Sequence, residues 1–216
     1  MNKPLALCVM LLAAIVPHAA NGGNVEENVV ISQPKMADQA NISETVKVNE
    51  VTVTCIRDNK AERTMPLSLF GDIPESLIDS LGIRNGIKSS VNAILVKTEG
   101  ATILFDTGLG KSDSQLLTAL SNKPEYIKFI YLTHFHGDHI GGMMKGDKPV
   151  FTNAEVYASR EEYESWMKMP DEAKAQVVKT MKAYEKHLHL FEFGDTLPGN
   201  VIALDGSGHT PGHTIY

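Results

Sequence analysis

The stretch that most restricts what this chain can become is Thr133-His134-Phe135-His136-Gly137-Asp138-His139-Ile140-Gly141-Gly142, where three of the chain's eight histidines stand beside an aspartate within six residues. It follows a largely apolar run, Tyr126 to Leu132, that reads as a strand ending at Thr133. Loops at strand ends present chemistry on a rigid scaffold. In an extended segment His134 and His136 point the same way. Gly137 lets the chain bend, so that Asp138 and His139 can aim a second pair of ligands nearby. Imidazole nitrogens and carboxylate oxygens are the donors Zn2+ takes at a site that keeps a position open for water. Bringing such groups together without a cation is costly, so the spacing reads as a metal site rather than a polar loop.

Two further stretches carry related signals. Val91 to Lys97 and Thr102 to Phe105 read as strands joined at Glu99-Gly100, and the second runs into Asp106-Thr107-Gly108. Taken alone, that aspartate is a turn cap. Near the end, a strand from Val201 to Leu204 leads into Gly206-Ser207-Gly208-His209-Thr210-Pro211-Gly212-His213-Thr214. A histidine held between glycines can approach a metal closely, because the backbone there has no bulk.

These three stretches, H-x-H-x-D-H before Gly-Gly, D-T-G after paired strands, and G-H-T-P-G-H, resemble those of the metallo-β-lactamase-fold hydrolases over Val91 to Tyr216. The resemblance implies an α/β fold, the αβ/βα sandwich. It places His134, His136 and His209 on a first metal, with His213 the competing third ligand, and Asp138 and His139 on a second. Asp106 is then no ligand; it lies beneath the site and hydrogen-bonds to the ligands. His213, if not a ligand, bonds locally or faces substrate. The implied cofactor is a pair of Zn2+ ions. The implied chemistry is hydrolysis of an ester, lactone or phosphoester by hydroxide generated on the metal, with Asp138 also a proton acceptor. The segment Phe151 to Tyr157 and the acidic helix with Trp166 look most like the exported branch that includes methyl parathion hydrolase and related lactonases. The family also uses a bridging aspartate and a further histidine, for which no candidate follows His213. The expectation is therefore the N-terminal part of a longer protein, with the first half of the sandwich, part of the second and an exposed sheet face between. Two other readings stand beside this one: an iron-dependent redox enzyme on the same fold, and a non-catalytic metal-binding protein.

The 216 residues suffice for one domain, and 43% hydrophobic with 21% charged residues is ordinary for a globular protein. The net charge of −6 provides no basic surplus for phosphates, so a small-molecule substrate and no nucleic-acid partner are expected. Oligomerisation is left open. At the N-terminus, Lys3, the apolar run Leu5 to Val16 and the small or turn-forming residues from Pro17 to Gly22 have the layout of a signal peptide, too short to span a membrane. This predicts residues 1–20 as a signal peptide, 21–47 as a flexible polar leader, 48–216 as the domain, and a periplasmic or secreted product with no membrane attachment after cleavage. Cys55 then stands without a disulfide partner and reads as a buried structural residue.

The remaining pattern predicts a strand through Val51, Val53 and Cys55, and a short helix from Ser76 to Leu81 closed by Gly82. It also predicts a helix from about Ser112 capped by Ser112 or Asp113, a strand near Glu155 to Ala158, and helices over Arg160 to Lys168 and Asp171 to His187. Trp166, Met167 and Met169 are assigned to the core in preference to a lid. His187 and His189 are assigned to a helix end and a strand start.

Overall fold

The structure is a computed structural model that describes residues 42–216. The expected signal peptide and most of the expected leader lie outside the described residues. Seven strands form one sheet whose spatial order follows the chain: β1 Ser43–Val48, β2 Val51–Arg57, β3 Asn92–Lys97, β4 Thr102–Phe105, β5 Phe129–Tyr131, β6 Glu155–Ser159 and β7 Leu188–Phe191. The first four pair antiparallel. From β4 onward the pairing is parallel. Parallel neighbours need crossovers, and the helices fill them. Helix α1, Glu75–Leu81, lies in the excursion between β2 and β3 and ends, as expected, at Gly82 with φ 64°. Helix α2, Leu116–Ala119, crosses from β4 to β5, and α3, Gly137–Ile140, follows β5. Helices α4, Arg160–Met167, and α5, Asp171–Ala183, join β6 to β7.

Alternation along the strands builds two apolar layers. Leu95, Leu104, Ile130 and Val156 share the face that packs on Leu116, Val177 and Met181 of the helices. Each such side chain removed from water contributes about 1.5–3 kcal/mol. The opposite face carries Ile103, Tyr131 and Phe191 with the half-buried Val96, Phe105, Phe129 and Tyr157. Residues 196–216 lie against it: Tyr131 donates to the Pro198 carbonyl at 2.5 Å, and Tyr216 to the Leu132 carbonyl at 2.8 Å. The α/β expectation and most of the expected strands hold, but the expected strand from Val201 to Leu204 is interrupted at Ala203, with Val201–Ile202 pairing with Thr196–Leu197 and Leu204–Asp205 with Thr214–Ile215. The face opposite the helices is partly covered by this segment.

The structure corrects several boundaries. Regular structure begins at Ser43, not Val48, because residues 43–48 pair along β2 through a turn at Asn49, φ 52°. All six are exposed, so no burial pattern announces the strand. Helix α2 starts at Leu116, and neither Ser112 nor Asp113 caps it; Asp58 Oδ1 accepts from Gln115 N, Leu116 N and Ser114 Oγ. Helix α5 ends four residues early, where the Tyr184 hydroxyl accepts from Phe151 N and donates to the Met143 carbonyl. Cys55 is half-buried on β2 rather than buried. Trp166 and Met167 pack on the core as expected, whereas Met169 is exposed.

Behind the histidine loop, glycines let two turns touch backbone to backbone. A Cβ on Gly141 would overlap the Leu109 carbonyl, and one on Gly142 the Thr107 carbonyl. This locks Asp106-Thr107-Gly108 against the histidine loop, with Thr107 N donating to the His139 carbonyl at 2.7 Å. Gly142→Ala is expected to cost about 1–3 kcal/mol by overpacking. The check is the denaturant midpoint of unfolding, which should fall with its slope unchanged; a wild-type midpoint would show that the two turns are free to part.

Candidate metal centre

Strand β5 ends at Tyr131, and Leu132 continues alongside β6 through a bond from Leu132 N to the Tyr157 carbonyl. Thr133 then turns the chain, and the two-residue alternation sends His134 and His136 the same way. The late glycine-rich loop is stitched beside this turn by Thr214 N donating to the Thr133 carbonyl at 2.9 Å. The outcome is a three-histidine convergence. His134 Nε2 lies 3.0 Å from His136 Nδ1, and His136 Nδ1 lies 3.0 Å from His209 Nε2. The three ligand atoms all fall within 4.8 Å of one another. His134 is buried, His136 half-buried and His209 exposed, so the cluster opens to solvent on one side.

Hydrogen bonds to the outer nitrogens orient the rings of His134 and His139. Asp106, held at φ 59° by the turn after β4, accepts from Thr133 N and from Thr133 Oγ1, both at 2.8 Å. With its proton given to that carboxylate, Thr133 Oγ1 is left to accept from His134 Nδ1 at 3.0 Å. This puts the lone pair of His134 on Nε2, facing the cluster. His139 Nδ1 donates to Asp106 Oδ2 at 2.7 Å, which frees His139 Nε2 toward Asp138, whose Oδ1 is 3.9 Å away. Asp106 thus bonds His139 directly and reaches His134 through Thr133 Oγ1.

Ionisation follows from this packing. Burial, reinforced by the neighbouring His139, His136, His209 and His213, pushes the His134 imidazole down to about 2. Burial and His209 also lower His136, and burial and His209 lower His213. His139 goes the other way: burial opposes its charged form, but the bond and charge of Asp106, joined by Asp138, outweigh burial and raise it. The His134 and His136 imidazoles are therefore held neutral, with lone pairs available.

Neutral imidazole nitrogens 3.0 Å apart either share a ring proton in an N–H···N bond or turn both lone pairs toward a cation between them. A tetrahedral Zn2+ with Zn–N bonds of about 2.0–2.1 Å requires roughly 3.3 Å between ligand nitrogens, close to this spacing. The donor set fits the ion. Asp138 Oδ1 and His139 Nε2 form an adjoining pair, also of the kind zinc takes. Of the two late histidines, His209 delivers a nitrogen to the cluster; the His213 ring stands 5.0 Å from that of His134 and 6.0 Å from that of His209. His187 and His189 lie far along the chain on β7 and its approach, where both bond Glu155, an acid that only the neighbouring strand supplies.

Sequence reasoning passed over Glu162. It stands three residues after Ser159, and that spacing is a helix capping box. Half of the box forms, with Glu162 N donating to Ser159 Oγ at 3.0 Å. The side chain, however, leaves the helix for Phe135 N and Gly212 N.

Comparison with known proteins now adds to the geometry. A sequence model described as the Metallo-beta-lactamase superfamily matches residues 86–216. Ribonuclease Z of Pyrococcus abyssi is 42% identical over 62 residues, 29% of this chain and 20% of that protein. The uncharacterized protein YobT of Bacillus subtilis is 30% identical over 134 residues, 58% of this chain and 56% of that one. The chain thus spans a fifth to just over half of the length of these relatives. Among solved structures, hydrolase AbOPH of the beta lactamase superfamily has a TM-score of 0.69 and 28% identity, covering 82% of this chain and 69% of its own. AidC, a dizinc quorum-quenching lactonase, has a TM-score of 0.69 and 25% identity, covering 82% and 70%. A relative named as a ribonuclease removes the ground for excluding nucleic acid from net charge. That charge is a sum over the whole chain, whereas a phosphodiester meets only the local field of a site. With the family's sequence pattern running through more than half of it, this chain belongs to the metallo-beta-lactamase superfamily.

Proposed function

We propose that the protein is a zinc-dependent hydrolase acting on an ester, lactone or phosphoester. The observation that carries this is the meeting of His134, His136 and His209 beside the Asp138–His139 pair. His134, His136 and His209 would hold one ion, and Asp138 and His139 would contribute to a second. Zinc bound there supplies the Lewis acidity that makes a hydroxide nucleophile available near neutral pH. The chain's own part is to bring three imidazoles together, with His134 and His136 held neutral, and to keep Asp138, partly exposed, where it can take a proton passing to the leaving group. The Trp166 ring, 5.8 Å from that of His136, adds an apolar wall at the edge of the site. That wall suits an acyl or aryl group, and the likeness to a quorum-quenching lactonase supports a lactone first.

The test is turnover by the zinc-loaded protein across a lactone, an aryl ester, a phosphotriester and an RNA phosphodiester. The expected result is hydrolysis of at least one of the first three, lost on chelation and restored by zinc. Hydrolysis that survives chelation would overturn the metal-dependent reading, and none with metal bound would favour a non-catalytic metal protein. Oxygen uptake with iron bound would favour the redox reading.

A further inference from the structure

Glu162 is almost fully buried, at 1% exposure, and its carboxyl group bonds three elements at once. Oε1 accepts from Phe135 N at 2.9 Å and from Trp166 Nε1 at 2.7 Å. Oε2 accepts from Gly212 N at 3.0 Å. Phe135 is the residue between His134 and His136. Gly212 belongs to the loop that presents His209. The cap of the same helix adds a fourth tie: Ser159 Oγ donates to the Gly212 carbonyl at 2.7 Å. Gly212 approaches so closely that a Cβ there would overlap the Glu162 backbone nitrogen. No other side chain among the described residues is shown bonding both histidine loops.

We propose that Glu162 is a positioning residue that sets the distance between the two histidine loops, and so the metal affinity of the centre. His134 and His136 are fixed to β5, but His209 sits on an exposed loop 73 residues later in the chain, and only its contacts place it. One carboxyl group with an oxygen on each loop makes the two move as a unit. Trp166, beside His136, is tied to the same oxygen, so the apolar wall keeps its place relative to the ligands. Partners that orient metal ligands typically change affinity 10–100-fold when removed.

This rests on the proposed metal site, and the experiment separates the two. Zinc affinity is measured by chelator competition for the wild type, Glu162→Gln, Glu162→Ala and Gly212→Ala, alongside the thermal unfolding of each metal-free protein. NMR contacts between the His136 and His209 rings are followed in the same metal-free samples. Glu162→Gln retains an acceptor for Phe135 and Trp166 but turns an NH2 donor onto Gly212 N–H, so it should release the His209 loop alone. Gly212→Ala should do the same by steric displacement, with the carboxyl group untouched. The expected result is a 10–100-fold loss of zinc affinity in these two variants, a larger loss in Glu162→Ala, and weakened ring contacts, with Glu162→Gln still folded at an unfolding temperature lowered by the Gly212 N–H left without its acceptor. Wild-type affinity and intact ring contacts in folded Glu162→Gln and Gly212→Ala would overturn the proposal. Should the wild type bind no zinc, the metal reading fails, and the ring contacts alone decide whether Glu162 positions the loops.

Discussion

Replacing His134 by alanine is expected to remove the ion held by the three histidines and to take hydrolysis with it. His134 is the buried member of the trio, at 2% exposure, and the one whose outer nitrogen is fixed, through Thr133, by Asp106. Its Nε2 is 3.0 Å from His136 Nδ1. Without it two imidazoles remain, and one of them is on an exposed loop. The loss should exceed the 10–100-fold that follows removal of a partner outside the coordination sphere. Zinc content after desalting and turnover on the best substrate check this together. The zinc-dependent rise in unfolding temperature is a third measure, since an ion bound only by the native state stabilises it. A folded variant with full zinc and full turnover would end the three-histidine account.

The parts of this site visible in the sequence share a physical reason. His134, His136, Asp138 and His139 lie in one short loop, so strand alternation and a glycine bend suffice to aim them, and no distant contact has to be guessed. The strands β3 to β6 were legible for a similar reason: Leu95, Leu104, Ile130 and Val156 alternate with the residues of the opposite layer, and the packing obeys the period. What stayed hidden depends on partners far along the chain. Helix α2 takes its cap from Asp58. Strand β1 buries nothing and exists by pairing with β2. Glu162 is the sharpest case. Its local spacing signals a cap, and the side chain is instead drawn away by two buried N–H groups that no nearby residue satisfies. Unpaired buried donors are expensive, so tertiary demand outweighed local preference. Residue type alone does not separate His209 from His213; the family resemblance favours His209, and it is the His209 ring that the Gly206 to Thr214 loop brings within 3.0 Å of His136 Nδ1.

Asp106 yields the other large effect, and two substitutions divide it. Asp106→Ala removes the acceptor for Thr133 N, Thr133 Oγ1 and His139 Nδ1 together. It also puts alanine at φ 59°, where an L residue with a Cβ and no polar side chain is disfavoured by about 1–2 kcal/mol. Asp106→Asn is cleaner, because asparagine tolerates that conformation and has the same shape. Its amide must place an NH2 where one oxygen was. Facing Thr133 N–H, the NH2 would leave a buried donor unpaired, at about 1–3 kcal/mol. Facing His139 is therefore preferred, and His139 Nδ1 must then accept. The ring proton moves to Nε2, the atom that points toward Asp138, and a protonated nitrogen cannot ligate. Asp106→Asn should thus stay folded, but the same NH2 faces Thr133 Oγ1, which loses the acceptor for its proton and no longer fixes His134 Nδ1 as a donor. The ion held by His134, His136 and His209 should weaken as well, binding of a second ion at Asp138 and His139 by 10–100-fold, and turnover falls with them. Zinc stoichiometry and the 15N shifts of His139 read the two effects separately. Two tightly held ions and normal turnover in Asp106→Asn would mean that the tautomer of His139 is set by some other contact.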